Sequence, residues 1–358
     1  MRIVAFPHRG IAYNDAFYAA LEQQGVEVVT GEWAGRWLLH SLQPGDIVHI
    51  HWPSFLYISH GGYLLVLRRF CRFLFLLLLA RWRAGALWWT AHNLLPHERC
   101  VLPALDVLAR QVVIRLSQRI LVHGAEAEAI LCARFPAVAG KCVRIPHGNW
   151  IDHYPPAPDK TSARAELGLA PGAYVYLQFG QCKPYKNLEG LIEAFARYQA
   201  EDAVLLIAGS FADKGYLAQI GDMAAKDTRV RLDARYLPDE LLVRYLSACD
   251  VVCMPYREIL TSGTAMLALS LGRPVLSVNR GFLHEVITPE VGLLVEPGDQ
   301  AALVAALAQV RTRRWDEATI LAEARRYTFA DAAAICLKAA QWRPGRPLAT
   351  GVARHEDG

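Results

Sequence analysis

Two lysines and a Ser-Gly-Thr turn carry the first chemistry in this chain. Lys183 and Lys186 lie in FGQCKPYKN (179–187), where a strand pattern gives way to a helix pattern. Ser262, Gly263 and Thr264 lie in YREILTSGTAMLALSLGRPV (256–275), between the apolar run ending at Met254 and a helix pattern that stops at Gly272-Arg-Pro. The first N–H groups of a helix have no partner within it and attract anions. Gly263 lets a ligand approach the backbone closely. A lysine beside such a turn can stabilise a diphosphate that departs with its negative charge. The turn also fits an ordinary βα connection capped by Ser262, and loop lysines are usually solvated. Their convergence on one crevice favours the anion site.

A second group is ionisable. His92, His97 and Glu98 fall within seven residues of AHNLLPHE (91–98). A histidine near neutral pH, or a glutamate raised by burial, can take a proton from a hydroxyl. Glu98 is the first choice of base and His92 the second. Pro96 would stiffen the loop that carries them.

The elements that must position these groups alternate. Strand patterns at Arg2–Phe6, Val26–Thr30, Ile47–His51, Leu87–Thr90, Ile120–Val122 and Val143–Ile145 are separated by helix patterns that include Asn14–Gln24, Leu105–Ser117 and Ala125–Arg134. Pro155, Pro156 and Pro158 mark a linker. The alternation then restarts at Tyr174–Phe179 and runs to helices at Asp299–Val310, Glu317–Arg326 and Phe329–Gln341. This predicts an α/β protein with two doubly wound parallel sheets, residues 1–155 and 156–342, and a disordered tail over 343–358. The last helix is free to pack back on the first domain. Ligands of such sheets bind beyond the C-terminal strand ends. On that rule Gly180, Gln181, Lys183, Lys186, Ser210, Tyr256, Glu258, Thr261, Ser262, Gly263 and Thr264 are placed on one ligand. His8, His51, Trp52, His147 and Asn149 face it from the first domain.

The stretch from Ile47 to His97 contains no Asp or Glu. Within it, 63–89 sets Arg68, Arg69, Arg72, Arg81 and Arg83 among Leu, Phe and Trp. Such a segment fits a helix lying in an anionic membrane interface. It also fits a buried helix with arginines at its rim. FLFLLLLA (73–80) is too short to span a bilayer, and the opening MRIVAFPH reads as strand, without a signal-peptide core. The 358 residues carry a formal charge of only +4, which gives no reason to expect nucleic-acid binding. The eight cysteines form no CxxC pair or zinc spacing and read as reduced core residues.

The chain resembles glycosyltransferases of the GT-B architecture, two facing Rossmann-like domains, over nearly its whole length to about residue 340. The residues that carry this are Phe179-Gly180 with Lys186, the stretch from Glu258 to Pro274, and GLLVEPG (292–298). In the first half HIHWP (49–53), TAHNLLPHE (90–98) and HGN (147–149) look like bacterial exopolysaccharide-assembly transferases of the xanthan β-mannosyltransferase type. The resemblance implies a nucleotide diphosphate sugar held mainly by the second domain. It also implies a lipid-linked saccharide acceptor held by the first, at the cytoplasmic face of the membrane. GDP-mannose as donor and inversion at the anomeric carbon are the best fit. The chain departs from the largest retaining GT-B family: Gln181 stands at an Arg position, Leu267 at a Glu position, and Glu258 lies one residue off the other Glu. A retaining transferase using a UDP-sugar through Lys186 and Glu258 stays open, as does a catalytically silent binding protein. No DxD motif occurs, and helix dipole plus lysine can replace a metal, so no metal or cofactor is expected.

Overall fold

A computed structural model describes residues 1–7, 10–58, 62–96 and 100–341. His8, His97, Glu98 and the 343–358 tail lie outside the described residues. The first sheet is built from β1 (Arg2–Phe6), β2 (Glu27–Thr30), β3 (Ile47–Ile50), β4 (Ala86–Thr90), β5 (Arg119–Val122) and β6 (Cys142–Arg144). Its helices are α1 (Ala12–Gln23), α2 (Gly35–Ser41), α3 (Tyr63–Arg83), α4 (Pro103–Leu116) and α5 (Ala125–Arg134). The second half carries α6 (Lys160–Glu166), β7 (Tyr174–Phe179), α7 (Leu188–Arg197), β8 (Ala203–Ala208), α8 (Lys214–Ala224), β9 (Val230–Asp233), α9 (Asp239–Ala248), β10 (Val251–Met254), α10 (Gly263–Ser270), β11 (Val275–Val278), α11 (Phe282–Val286), β12 (Gly292–Val295), α12 (Gln300–Thr312), α13 (Glu317–Arg325) and α14 (Phe329–Gln341).

Both sheets are parallel, in the orders β2-β1-β3-β4-β5-β6 and β12-β11-β10-β7-β8-β9. Strand β10 is buried on both faces, which is why it reads as an unbroken apolar run, and β3 is equally buried although it carries His49. The chain order reverses at β1/β3 in the first sheet and at β7/β10 in the second. Crevices beyond the strand ends at such switch points are where doubly wound sheets bind ligands.

The halves are tied together. Asn149 Nδ2 donates to the carbonyls of Ala324 and Tyr327, and its Oδ1 accepts from the Ile151 N–H. Helix α14 crosses back to pack on α1, with Gln24 Nε2 donating to the Ala330 carbonyl at 2.8 Å. Glu285 on α11 accepts from the Glu126 N–H at the start of α5. The negative carboxylate suits the positive end of that helix.

Segment 63–89 is two elements rather than one. α3 buries Val66, Phe70, Phe73, Leu77 and Ala80, spaced by three and four, against the first domain's core. Trp88 and Trp89 belong to the buried strand β4, so the interface expectation does not extend to them. The opposite face of α3 is apolar as well: Leu64 is 84% exposed and Trp82 72%, with Phe75 and Leu78 between them. Within the described residues, no helix is long and apolar enough to cross a membrane. Five cysteines are buried, but Cys71 on α3 is exposed and Cys132 and Cys142 are half-buried, so the core expectation holds only in part.

Candidate active site

In the second domain the site begins where two strand ends nearly touch. Gly180 has φ +88°, and a side chain at Gly209 would meet the Gly180 carbonyl oxygen at 1.8 Å. Only glycine permits that approach. The chain then makes a short turn over Pro184–Lys186, and Asn187, in the left-handed region, donates through Nδ2 to the Pro255 carbonyl. This bond ties the loop after β7 to the loop after β10. Lys186 is folded inward: its Nζ donates to the Phe179 carbonyl at 2.9 Å and lies 5.7 Å from the centre of the Tyr256 ring. Burial lowers its pKa to about 8.

Ser262 is the N-cap of α10, its Oγ accepting from the Ala265 N–H at 3.1 Å. The turn is therefore capped by Ser262, which also lines the cavity beside Gly263 and Thr264; accepting one N–H leaves the hydroxyl's own O–H and a second lone pair. The N–H groups of Gly263 and Thr264, too early for intrahelical bonds, remain beside the cavity these residues line. That cavity, about 90 Å³, is also lined by Tyr185, Tyr256, Glu258, Thr261 and Asn93. Thr261 Oγ1 is buried with no hydrogen-bond partner among the described residues. Ser210 lies apart from this cavity, its carbonyl accepting from the Cys182 N–H.

The first domain closes the other side. A cavity of about 310 Å³ lies between Trp52, Phe55, Asn93 and Pro96 of the first domain and Gln181 and Lys183 of the second. Trp52 and Phe55 stack with ring centres 5.7 Å apart, an aromatic floor of the kind that receives the apolar face of a sugar. A third space of about 570 Å³ adds Arg134, Arg280, Tyr185 and Glu258. Asn93 borders all three.

Behind this wall sits a buried cluster of imidazoles: His51, His92, His123 and His147 pack around the Tyr13 ring, and His49 packs on His51. Burial pushes His49 down to about 3 and His147 to about 4, and holds His51, His92 and His123 well below the usual histidine range. All five are neutral at pH 7. His51 is not an open ligand: both ring nitrogens are used, at 2.8 Å by the Tyr18 hydroxyl and at 2.9 Å by His92. His147 Nε2 lies 3.6 Å from where a Gly263 side chain would begin, so it approaches the α10 turn rather than the aromatic floor. Asn149 has both side-chain polar atoms in use, Nδ2 in the interdomain tie and Oδ1 on the local Ile151 N–H. It braces the two halves, and the reading of it as an acceptor ligand is corrected.

The sequence places Asn93 beside His92 at the end of a strand without giving it a role, and the reading missed Phe55, Tyr185, Arg134 and Arg280. Arg280 follows the end of β11, so the strand-end rule could have found it as it reaches Asn93 after β4. Phe55 and Arg134 carry no such signal, because they reach the cleft only through the packing of their elements.

Residues 159–326 match the family of glycosyl transferases group 1. Over 276 residues the chain is 29% identical to the GDP-mannose:glycolipid 4-beta-D-mannosyltransferase of Xanthomonas campestris pv. campestris, covering 74% of this chain and 72% of that protein. It is 30% identical over 244 residues to the D-inositol 3-phosphate glycosyltransferase of Geodermatophilus obscurus, covering 63% of this chain and 54% of the relative. Among solved structures, Anabaena HepE in complex with UDP-glucose superposes with a TM-score of 0.68 at 16% identity, over 95% of this chain and 100% of that one. A sucrose-phosphate synthase from Thermosynechococcus elongatus gives 0.66 at 18% identity, over 95% and 97% of the two chains. With two facing parallel sheets and a group 1 domain forming most of the second half, the chain is a glycosyltransferase of the GT-B fold.

Proposed function

We propose that this glycosyltransferase moves mannose from GDP-mannose to a lipid-linked saccharide, with inversion and without a metal, at the inner face of an anionic membrane. The observation that carries the reading is the cavity between Trp52, Phe55 and Asn93 on one side and Gln181 and Lys183 on the other. It leaves room for a sugar acceptor between an aromatic floor and the diphosphate turn. The named activity of the Xanthomonas relative supports donor and acceptor class.

In this reading Lys186, Lys183 and the α10 N-terminus stabilise the departing diphosphate, which places the charge where a metal would otherwise sit. Tyr256, Thr261 and Glu258 hold the donor's sugar or ribose. His92, neutral and beside the Trp52 platform, takes the acceptor proton. Glu98 and His97 of the same loop are tested by mutation alone. The apolar outer face of α3 with Arg68, Arg69 and Arg72 rests on lipid.

Thermal unfolding with GDP, UDP and ADP, each with and without EDTA, tests the donor and the metal. GDP alone should raise the midpoint, since a ligand of the native state stabilises it. A UDP response instead, or one abolished by EDTA, overturns those parts. A retaining reaction has one observation in its favour: Glu258 borders two of the three cavities. The anomeric configuration of the product, read by NMR, decides between the two.

A further inference from the structure

A buried chain of hydrogen bonds crosses the C-terminal edge of the first sheet and stops at His92. Thr90 Oγ1 lies 2.8 Å from His49 Nε2, and His49 Nδ1 lies 2.9 Å from the Tyr18 hydroxyl. The same hydroxyl lies 2.8 Å from His51 Nε2, and His51 Nδ1 lies 2.9 Å from His92 Nε2. All five side chains are buried. Each ring is neutral and carries a single N–H.

With the Tyr18 hydrogen held between its two rings, a chain with every link filled has two proton arrangements. In one, every hydrogen points toward Thr90. His92 Nε2–H donates to His51 Nδ1, His51 Nε2–H to Tyr18, the Tyr18 O–H to His49 Nδ1, and His49 Nε2–H to Thr90. In the other, every hydrogen points toward His92. Mixed arrangements set two hydrogens or two lone pairs against each other across a buried link, or turn the Tyr18 O–H out of the chain so that its oxygen accepts from both rings and Thr90 no longer reports on His92. The two uniform arrangements differ in energy. The first puts all three rings in the Nε2–H form, the form neutral histidine prefers intrinsically. The second forces all three into the Nδ1–H form. They also differ at the open end. No described residue hydrogen-bonds to His92 Nδ1, and that nitrogen is not among the sealed, unpartnered atoms of the interior. The first arrangement leaves a lone pair there; the second leaves an N–H that cannot accept a proton.

We propose that the Thr90–His49–Tyr18–His51 chain fixes the tautomer of His92, so that Nδ1 presents a lone pair to the acceptor hydroxyl. Tyr18 and Thr90 are positioning residues in this scheme. It rests on the reading of His92 as the base, but the tautomer can be measured without turnover. In the reaction, the acceptor O–H bond breaks as His92 gains Nδ1–H. The acceptor oxygen bonds to the anomeric carbon, and the diphosphate leaves with the electron pair of its C–O bond. His92 keeps its Nε2–H donated to neutral His51. The other two buried rings lie outside the chain and serve as internal references: His123 Nδ1 is 3.3 Å from the Ile145 carbonyl and His147 Nδ1 3.0 Å from that of Gly148. Both must donate through Nδ1.

The test is 15N NMR of protein labelled at histidine, at pH 7, with His92 assigned by the signals lost in His92→Gln. The wild type should show His92 Nδ1 unprotonated and Nε2 protonated, opposite to His123 and His147. Thr90→Ser keeps the hydroxyl and should preserve both the tautomer and kcat. Thr90→Val and Tyr18→Phe remove an acceptor from a buried N–H. The chain should then reverse, giving His92 Nδ1–H and a kcat at least ~10-fold lower with little change in acceptor KM. A protonated Nδ1 in the wild type overturns the proposal. So does an unchanged His92 tautomer in Thr90→Val, which keeps the branched shape of the side chain and the test open if Tyr18→Phe does not fold. A reversed tautomer with unchanged kcat supports the chain and removes His92 from the chemistry.

Discussion

The rings of Trp52 and His92 stack with centres 4.4 Å apart and 15° from parallel. This contact joins the acceptor floor to the proposed base, so loss of the indole should act on acceptor use before donor use. Trp52→Ala is expected to raise acceptor KM about tenfold, ~1.4 kcal/mol, while Trp52→Phe retains most of the affinity. Donor binding by calorimetry should stay the same in both. Unchanged acceptor KM in the alanine variant would place the acceptor elsewhere.

Lys186 offers two readouts. Lys186→Ala should lose at least ~100-fold in kcat/KM with normal folding, because the leaving diphosphate then departs with a charge unpaired. The wild-type amine titrates near 8 when free. A bound diphosphate raises that value, so donor affinity should fall as pH climbs past about 8, and binding at pH 8.5 should take up a proton. Calorimetry in buffers of different ionisation enthalpy measures this uptake. No uptake would leave Lys186 as a brace for the Phe179 carbonyl.

The five buried imidazoles should make the protein acid-labile. Their native pKa values are lowered, to about 3 for His49 and about 4 for His147, against 6.5 ordinarily. Above pH 6.5 both native and unfolded rings are neutral and stability is complete. Below it the unfolded chain binds protons that the native core refuses, so stability falls with pH until the native rings titrate. Each ring contributes up to about 1.4 kcal/mol per pH unit in that window. The urea midpoint should drop clearly between pH 7.5 and 5.5. A flat profile would mean that the rings are already charged or not sealed.

Lipid binding is tested on α3. Binding to vesicles should require anionic lipid and weaken with salt, at about 1 kcal/mol per arginine near the surface. Arg68→Glu, Arg69→Glu and Arg72→Glu combined should release the protein. Leu64→Ser with Trp82→Ser should do so without changing charge, since both side chains are exposed and outside the core. Sedimentation of both variants with anionic vesicles would show that α3 is not the anchor.

Period and punctuation in the chain were enough for the architecture. Alternating apolar runs and helix patterns impose a parallel sheet, because strands joined by helices cannot pair otherwise without long returns. The Pro155–Pro158 break lies between β6 and α6, and strand ends named the loops that carry Gly180, His92 and Ser262. Several local assignments needed the folded chain. α2 went unread because its short pattern buries only Leu38 and its N-cap makes no side-chain hydrogen bond. The strand pattern at Leu87–Thr90 already marks β4, but which face of α3 turns to the core needed the fold. His49, His51 and His92 are adjacent only because β3 and β4 pair in register, and Tyr18 bridges two of them only because α1 packs across that edge. Asn149 reads as a strand-end ligand until α13 and α14 bring the Ala324 and Tyr327 carbonyls to its amide. Residue types and spacing set what each group can do. Burial decided which groups are charged, and long-range packing decided which ones meet.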